Sequence, residues 1–324
     1  MAISPNLSEI VTTTLRNRSG VIADNVTKNN GLLAKLRARG KVKPVSGGRT
    51  IVQELQYQEN STFKRYSGYD LLNIQPSDVI TAAEYDYKQA AVAVSISGLE
   101  QLQNSGEDAV LDLLEGRIEN AETTLTNNIA LDCYSDGTAD GGRQIGGLQL
   151  LVSTAPTSGT VGGISRATWA FWRNQKFSGT SDGGAATSTT NIQSYMNRLY
   201  LSCSRGADKP DLIVADNNYF RLYWESLQAI QRITSSDNGM AGFNTLQYMG
   251  SDVVFDGGFG GGAPANQMYF VNSKYLFFRP HRDRNFDPIG DDRMTPNQDA
   301  TIRLWGWAGN MTMNNAFLQG VLTA

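Results

Sequence analysis

The spacing of apolar and polar positions changes several times along the chain, and each change predicts an element. In the first 46 residues, Leu7, Ile10, Val11 and Leu15, and then Leu32, Leu33 and Leu36, recur at helical spacing between Asn- and Gly-rich stretches. Neither run is long enough to build a core alone, so residues 1–46 read as an arm lying on another surface. After Gly47-Gly48 the period drops to two. Ile51, Gln53, Leu55 and Tyr57 share one face of an outgoing strand, and Val92, Val94 and Ile96 alternate within a return strand over 79–96. Residues 47–97 thus predict a long β-hairpin with a polar tip at about 59–77, carrying Lys64, Arg65, Gly68 and Pro76. A two-stranded ribbon is marginal in water, so its order is expected to come from a partner surface such as another subunit.

Over 98–131 the period returns to 3.6. Val110, Leu113, Leu114, Ile118, Ala121, Leu125 and Ile129 trace one stripe of a long helix, with Glu107, Asp112, Glu115, Glu119 and Glu122 on the other side. Ser105 with Asp108 fits a capping box, and Gly137, Gly141 and Gly142 end the element. Downstream, residues 145–152 read as a strand, 165–177 as a helix with Trp169, Phe171 and Trp172, and 178–188 as a loop. A helix over 191–204, a buried strand over 210–215, a helix over 217–233 and strand over 245–255 complete an α/β stretch. Strands at 268–271, 276–279 and 302–313 close the chain, and no internal repeat emerges.

Composition modifies this picture in two ways. The 324 residues suffice for one large or two ordinary domains, and 40% hydrophobic content suffices for cores. Only 18% of residues are charged, below the roughly one quarter usual in soluble proteins, which suits surface buried against neighbours. The charge is also segregated. Residues 1–49 hold nine Lys/Arg (Arg16, Arg18, Lys28, Lys35, Arg37, Arg39, Lys41, Lys43, Arg49) against Glu9 and Asp24, and residues 76–140 hold thirteen Asp/Glu against Lys88 and Arg117. Opposite charges on separate segments suit a chain that binds copies of itself. Cys133 and Cys203 have no metal-type spacing and read as buried thiols of a protein folded in a reducing cytosol. The N-terminus lacks the pattern of a signal peptide, and no run is long enough for a membrane helix. The sequons at Asn6, Asn25, Asn60 and Asn310 therefore carry little meaning.

No catalytic, cofactor-binding or metal-ligating constellation is assigned. Ser61 and Lys64 match S-x-x-K, and Ser236-Asp237-Asn238 matches the S-D-N of penicillin-recognising serine hydrolases, but the first lies in a hairpin tip and no K-T-G strand follows. The run from Gly258 to Ala263 fits G-x-G-x-x-A, yet Pro264 and a strand follow where a dinucleotide site needs a helix. His281, the sole histidine, sits among Arg279, Arg282 and Arg284 and reads as a solvated loop residue. The carboxylates of the long helix spread along a face and do not encircle a calcium loop. The basic arm has no recognition-helix or aromatic-stacking pattern, so contact with nucleic acid would be electrostatic and non-specific; pairing with acidic surface on a neighbouring copy fits better.

The order of these elements resembles the tailed-bacteriophage major capsid proteins, the Hong Kong 97-type fold shared with encapsulins. Ile145-Gly146-Gly147-Leu148 is similar to that family's turn after its spine helix, and the run from Pro210 to Ala215 before Asn218-Tyr219 is similar to its strand-to-helix step. The run from Leu246 to Asp256 looks like its strand pair, and Trp307-Ala308-Gly309-Asn310 with Asn315 and Gln319-Gly320 like its closing segment. The resemblance spans nearly the whole chain. It implies an α+β fold: an N-terminal arm (1–46), an extended loop (47–97), a peripheral domain with the spine helix (98–145), an axial domain (146–264) and return strands through the peripheral sheet (265–324). The function it implies is a non-enzymatic head-shell subunit assembling into hexamers and pentamers around double-stranded DNA. Portal, scaffolding and decoration proteins would be its partners, and it would assemble in the host bacterial cytoplasm and reside in the virion. An encapsulin-type compartment is the alternative, and a penicillin-recognising hydrolase the remote one. Some relatives cross-link a loop lysine to a neighbour's asparagine, and Lys64 is placed to be such a lysine. If the acidic face of the long helix lines the interior, it would repel packaged DNA.

Overall fold

The computed structural model describes residues 30–103, 107–227, 245–257, 261–290, 293–294 and 299–324. The helical run around Leu15, the cap residue Ser105, Ser236-Asp237-Asn238, the end of the 217–233 helix, Gly258 to Gly260, and the sequons Asn6 and Asn25 lie outside these residues, as do the side chains of 101–115.

The first described helix, α1 (Gly31–Ala38), begins where the side chain of Asn30 accepts from the N–H groups of Leu32 and Leu33 at 3.0 and 3.1 Å. The same side chain donates to the carbonyl of Ala130. Leu32, Leu33 and Leu36 are fully buried in the main hydrophobic core. The second half of the arm therefore lies on its own chain. Its cations do too: Lys35 pairs with Asp252 at 2.5 Å, Arg39 with Asp211 at 3.0 Å, and Lys41 and Lys43 lie over the Phe277 ring. For these four residues the expected pairing with a neighbouring copy is replaced by intrachain contacts. The reason is positional: α1 is driven against the sheets by its leucines, and the charges beside those leucines meet the acids there.

Strands β1 (Ile51–Gln56) and β2 (Ile80–Tyr85) form the predicted antiparallel ribbon, with Ile51 opposite Tyr85 and Gln56 opposite Ile80. The return strand is not continuous. It breaks at Asp86-Tyr87, and β3 (Lys88–Ser97) enters another sheet by pairing with β13 (Ala300–Met313). A short helix, α2 (Gly98–Gln103), leads to α3 (Glu107–Asp132), 26 residues or about 39 Å long. Ile118, Ala121, Leu125 and Ile129 are its buried stripe, while Glu119 is exposed. Arg117 on α3 holds Glu100 on α2 through two bonds of 2.6 and 3.0 Å.

Residues 145–152 are not a strand. Leu148–Leu151 form a helical turn, α4, whose two end leucines are buried at i, i+3 spacing. A Cβ at Gly147 would lie 2.5 Å from the Asp132 carbonyl, so glycine lets this turn close onto the end of α3. Residues 165–177 are not a helix either. After the hairpin of β4 (Thr160–Val161) and β5 (Ile164–Ser165), a single 3-10 turn (Ala170–Trp172) precedes strand β6 (Gln175–Ser178). The Arg173 side chain takes the carbonyls of Arg166 and Ala167, and buried Trp172 gives its indole N–H to Val161. The two Arg173 bonds capture carbonyls that a helix over 165–177 would have used.

The remaining elements are α5 (Ile192–Ser202), β7 (Leu212–Ala215), α6 (Asn217–Ser226), β8 (Thr245–Tyr248), β9 (Ser251–Phe255), β10 (Gln267–Val271), β11 (Leu276–Pro288), β12 (Arg293–Met294) and β14 (Gly320–Thr323). Six of the strands form one sheet in the order β6-β14-β10-β7-β9-β8. The strand read over 245–255 is thus a hairpin, turning at Met249 and Gly250, which both have positive φ. Both faces of the six-stranded sheet are covered. Met268 and Phe270 of β10 face the cluster under α5 and α6, while Tyr269 and Val271 face the cluster containing α1 and α3. Covering on both sides explains why β7 reads as continuous Leu-Ile-Val-Ala. The last segment divides: β10 and β14 stay in this sheet, while β11, β12 and β13 form the second sheet with β3. Cys133 and Cys203 are buried free thiols, and burial pushes both pKa values up.

Two predictions follow from the α3 contacts. Replacing fully buried Ile129 by Ala is expected to cost about 2–5 kcal/mol in urea unfolding. The Arg117 hydrogen bonds, followed by the Ser97 N–H, lower the Glu100 carboxyl to about 2. Because the folded value lies below the ordinary one, this contribution is complete above the ordinary carboxylate range and disappears as pH falls through about 2. Carboxyl NMR should give a Glu100 midpoint near 2, and E100Q should be less stable than the parent at neutral pH but match it below that midpoint.

Candidate assembly surface

The inner face of the ribbon is built for its own body. Ile51, Leu55, Ala83 and Tyr85 are buried. The Tyr85 hydroxyl donates to the Met313 carbonyl at 3.1 Å, Arg279 donates to Gln53, and the Glu84 N–H reaches the Gly162 carbonyl. A Cβ at Gly162 would lie 2.8 Å from that of Ala83, so the β4–β5 turn sits against β2.

Two short connections attach the ribbon. One is Gly47-Gly48, with φ of 142° and 113°, values that disfavour any side chain. The other is Asp86-Tyr87, where the Tyr87 hydroxyl donates to the Gly47 carbonyl and bridges the two connections. Asn310, 3% exposed, donates to the Asp86 carbonyl and accepts from the N–H groups of Gly146 and Met311. In the sequence Asn310 stands only in a sequon and in the closing Trp307-Ala308-Gly309-Asn310 run; its place as a node comes from contacts 164 and 224 residues away.

Beyond Tyr57 the chain leaves the body. The expectation of a polar tip is corrected here: Phe63, Tyr69, Leu71 and Ile74 are each at least 76% exposed, with Tyr66 and Leu72 exposed beside them. The tip keeps its shape through local polar bonds. Asn60 accepts from Thr62, Ser61 meets Ser77, Asp70 accepts from the Ser67 N–H, and Lys64 reaches the Leu71 carbonyl. Hydrogen bonding is thus internal to the tip, while its apolar side chains face outward. Six exposed large apolar side chains on one short loop mark an interaction site.

The residues with chemical motifs do not converge. Ser61 bonds to Ser77 in an exposed turn while Lys64 is turned to Leu71, so the pair lacks the geometry for proton transfer. His281 lies half-buried on β11, not in a loop; its Nδ1 accepts from the Asp283 N–H and its ring meets Tyr87 edge-on at 5.8 Å. Among the described residues no three His, Cys, Asp or Glu side chains form a metal-type cluster, and no helix is long and apolar enough to cross a membrane. Replacing Phe63, Leu71 and Ile74 together by Ser should leave the unfolding free energy of the isolated subunit within about 0.5 kcal/mol, since each is at least 76% exposed. Chemical denaturation checks this.

No protein-family model and no curated protein sequence matches the chain. Solved structures do match. The chain resembles the capsid asymmetric unit of cyanophage A-1(L) with a TM-score of 0.63 at 17% identity, over 90% of this chain and 92% of that one. It resembles the capsid of an empty GTA particle at 0.57 and 10% identity, over 88% of each chain. It also resembles the SrpI encapsulin of Synechococcus elongatus PCC 7942 at 0.55 and 10% identity, over 89% and 86%. The chain therefore has the α+β fold common to these capsid and encapsulin chains.

Proposed function

We propose that the chain is a major capsid protein, a structural, non-enzymatic subunit that self-assembles into the icosahedral or prolate head shell around phage double-stranded DNA. The observation that carries this reading is the ribbon tip. A folded body covers the base of the ribbon and leaves a polar-stapled loop with six exposed large apolar side chains, Phe63, Tyr66, Tyr69, Leu71, Leu72 and Ile74. Such a loop gains by burying itself on a neighbour. Interfaces of about 1,600 Å² repeated around a ring give avidity without any single strong bond. The shared fold supports the same conclusion.

In this reading, residues 1–46 are the arm, 47–97 the extended loop, 98–145 the peripheral part with its spine helix, 146–264 the axial part and 265–324 the return, with β10 and β14 belonging to the axial sheet. Hexamers and pentamers of the chain are the assembly units. Portal, scaffolding and decoration proteins are the further partners, the host bacterial cytoplasm is the site of assembly, and the virion is the final location. The encapsulin likeness favours a second reading, a compartment shell with protein cargo.

Electron microscopy of the purified protein, alone and with its neighbouring genes co-expressed, tests this. Closed shells tens of nanometres wide, or six- and five-membered rings, are the expected result; a monomer or dimer under every condition overturns it. DNA inside particles from infected cells distinguishes a phage head from a cargo compartment. A chain lacking the tip residues 59–77 should stay folded and soluble but form no closed shell.

A further inference from the structure

The ribbon leaves the body beside a pocket of about 300 Å³. Its wall is the rings of Tyr57, Trp169 and Phe171, with centroids 5.5 to 6.1 Å apart, extended by Ile80 and Ile164 and edged by Asp78. Trp169 is 48% exposed, and Asp78 is exposed. Aromatic faces attract cations, the carboxylate adds full negative charge, and the isoleucines suit a methylene stem. Together these features select a long side chain with a cationic head.

We infer that this pocket receives Arg65 from the ribbon tip of a second copy of the chain, an inference that rests on the shell reading above. Arg65 stands on the segment its own body leaves uncovered, and within one chain its guanidinium lies over the Phe63 ring. The neighbouring Lys64 ammonium is engaged by the Leu71 carbonyl. Arginine also stacks on aromatic faces better than lysine does. Pocket and tip are different patches of the same subunit, an arrangement compatible with a head-to-tail contact that closes a ring where its rotation closes.

The test is a charge-reversal cycle on the full chain, comparing D78K, R65E and the double variant with the parent by sedimentation and electron microscopy. Each single change should lower the assembled fraction about tenfold, the size expected of a desolvated cation–π contact. The double variant should recover part of the loss, because the charge pair is restored while the carboxylate placed at position 65 gains nothing from the rings. Singles that assemble like the parent, or a double no better than either single, overturn the pocket and leave the shell reading standing. If the parent forms no particles either alone or with its neighbouring genes co-expressed, the shell reading falls separately, and the pocket is read on the soluble chain with a synthetic peptide of residues 60–76. Quenching of tryptophan emission by that peptide, absent in W169F and with an R65Q peptide, supports the contact; no quenching, or equal quenching by both peptides, overturns it.

Discussion

The structure depends on the double pairing of β13. Along one edge this strand takes up β3 over ten consecutive residues, from Ala300 opposite Ser97 to Gly309 opposite Lys88, and along the other it pairs with β11. Trp305 and Trp307 are fully buried on it, and Phe278 stacks on Trp307 at 5.4 Å. The β3 pairing joins segments some two hundred residues apart, and the ribbon and the long helix on either side of β3 are placed by it. Such non-local pairing costs loop entropy early in folding, and the buried tryptophans are what repay it.

From that sheet the ribbon inherits its division of labour. Tyr85 bonds to the end of β13, and Asn310 on the same strand bonds to the connection at Asp86. The base is therefore held to the body, while the tip is held only to itself. Several of its polar groups bond locally, Thr62 to Asn60, Ser61 to Ser77, Ser67 to Asp70 and Lys64 to the Leu71 carbonyl, and these contacts shape the loop without its exposed rings and aliphatic groups. A loop preorganised in this way loses less entropy on docking than a disordered one.

A second set of polar contacts brings the early and middle parts of the chain together. Asn30 caps α1 and bonds to Ala130 at the end of α3, and Tyr134 just beyond donates to Asp256 at the end of β9. Burial raises the Asp256 carboxyl above its ordinary value in spite of that bond. With Lys35 on Asp252 and Arg39 on Asp211, these contacts pin the arm where its three leucines have already placed it. The charge segregation of the sequence therefore serves, in this part of the arm, to orient one subunit.

The sequence by itself determined the elements whose periodicity is long and unbroken: the 26-residue helix with its stripe from Ile118 to Ile129, the ribbon strands around Leu55, the buried Leu-Ile-Val-Ala strand and the order in which they follow. That order was enough to identify the fold. Tertiary structure decided the rest. It broke the return strand at Asp86, because β13 offers a longer ladder than β1 does. It unwound the expected helix around Trp169, because the Arg173 side chain takes the Arg166 and Ala167 carbonyls and buried Trp172 turns to the Val161 carbonyl on β4, and it kept the arm's described cations at home. It also left the apolar tip bare and assembled the Tyr57, Trp169 and Phe171 wall from segments more than a hundred residues apart. Periodicity reports which side of an element seeks burial, but only the fold decides what covers it, because burial depends on partners that local spacing does not encode.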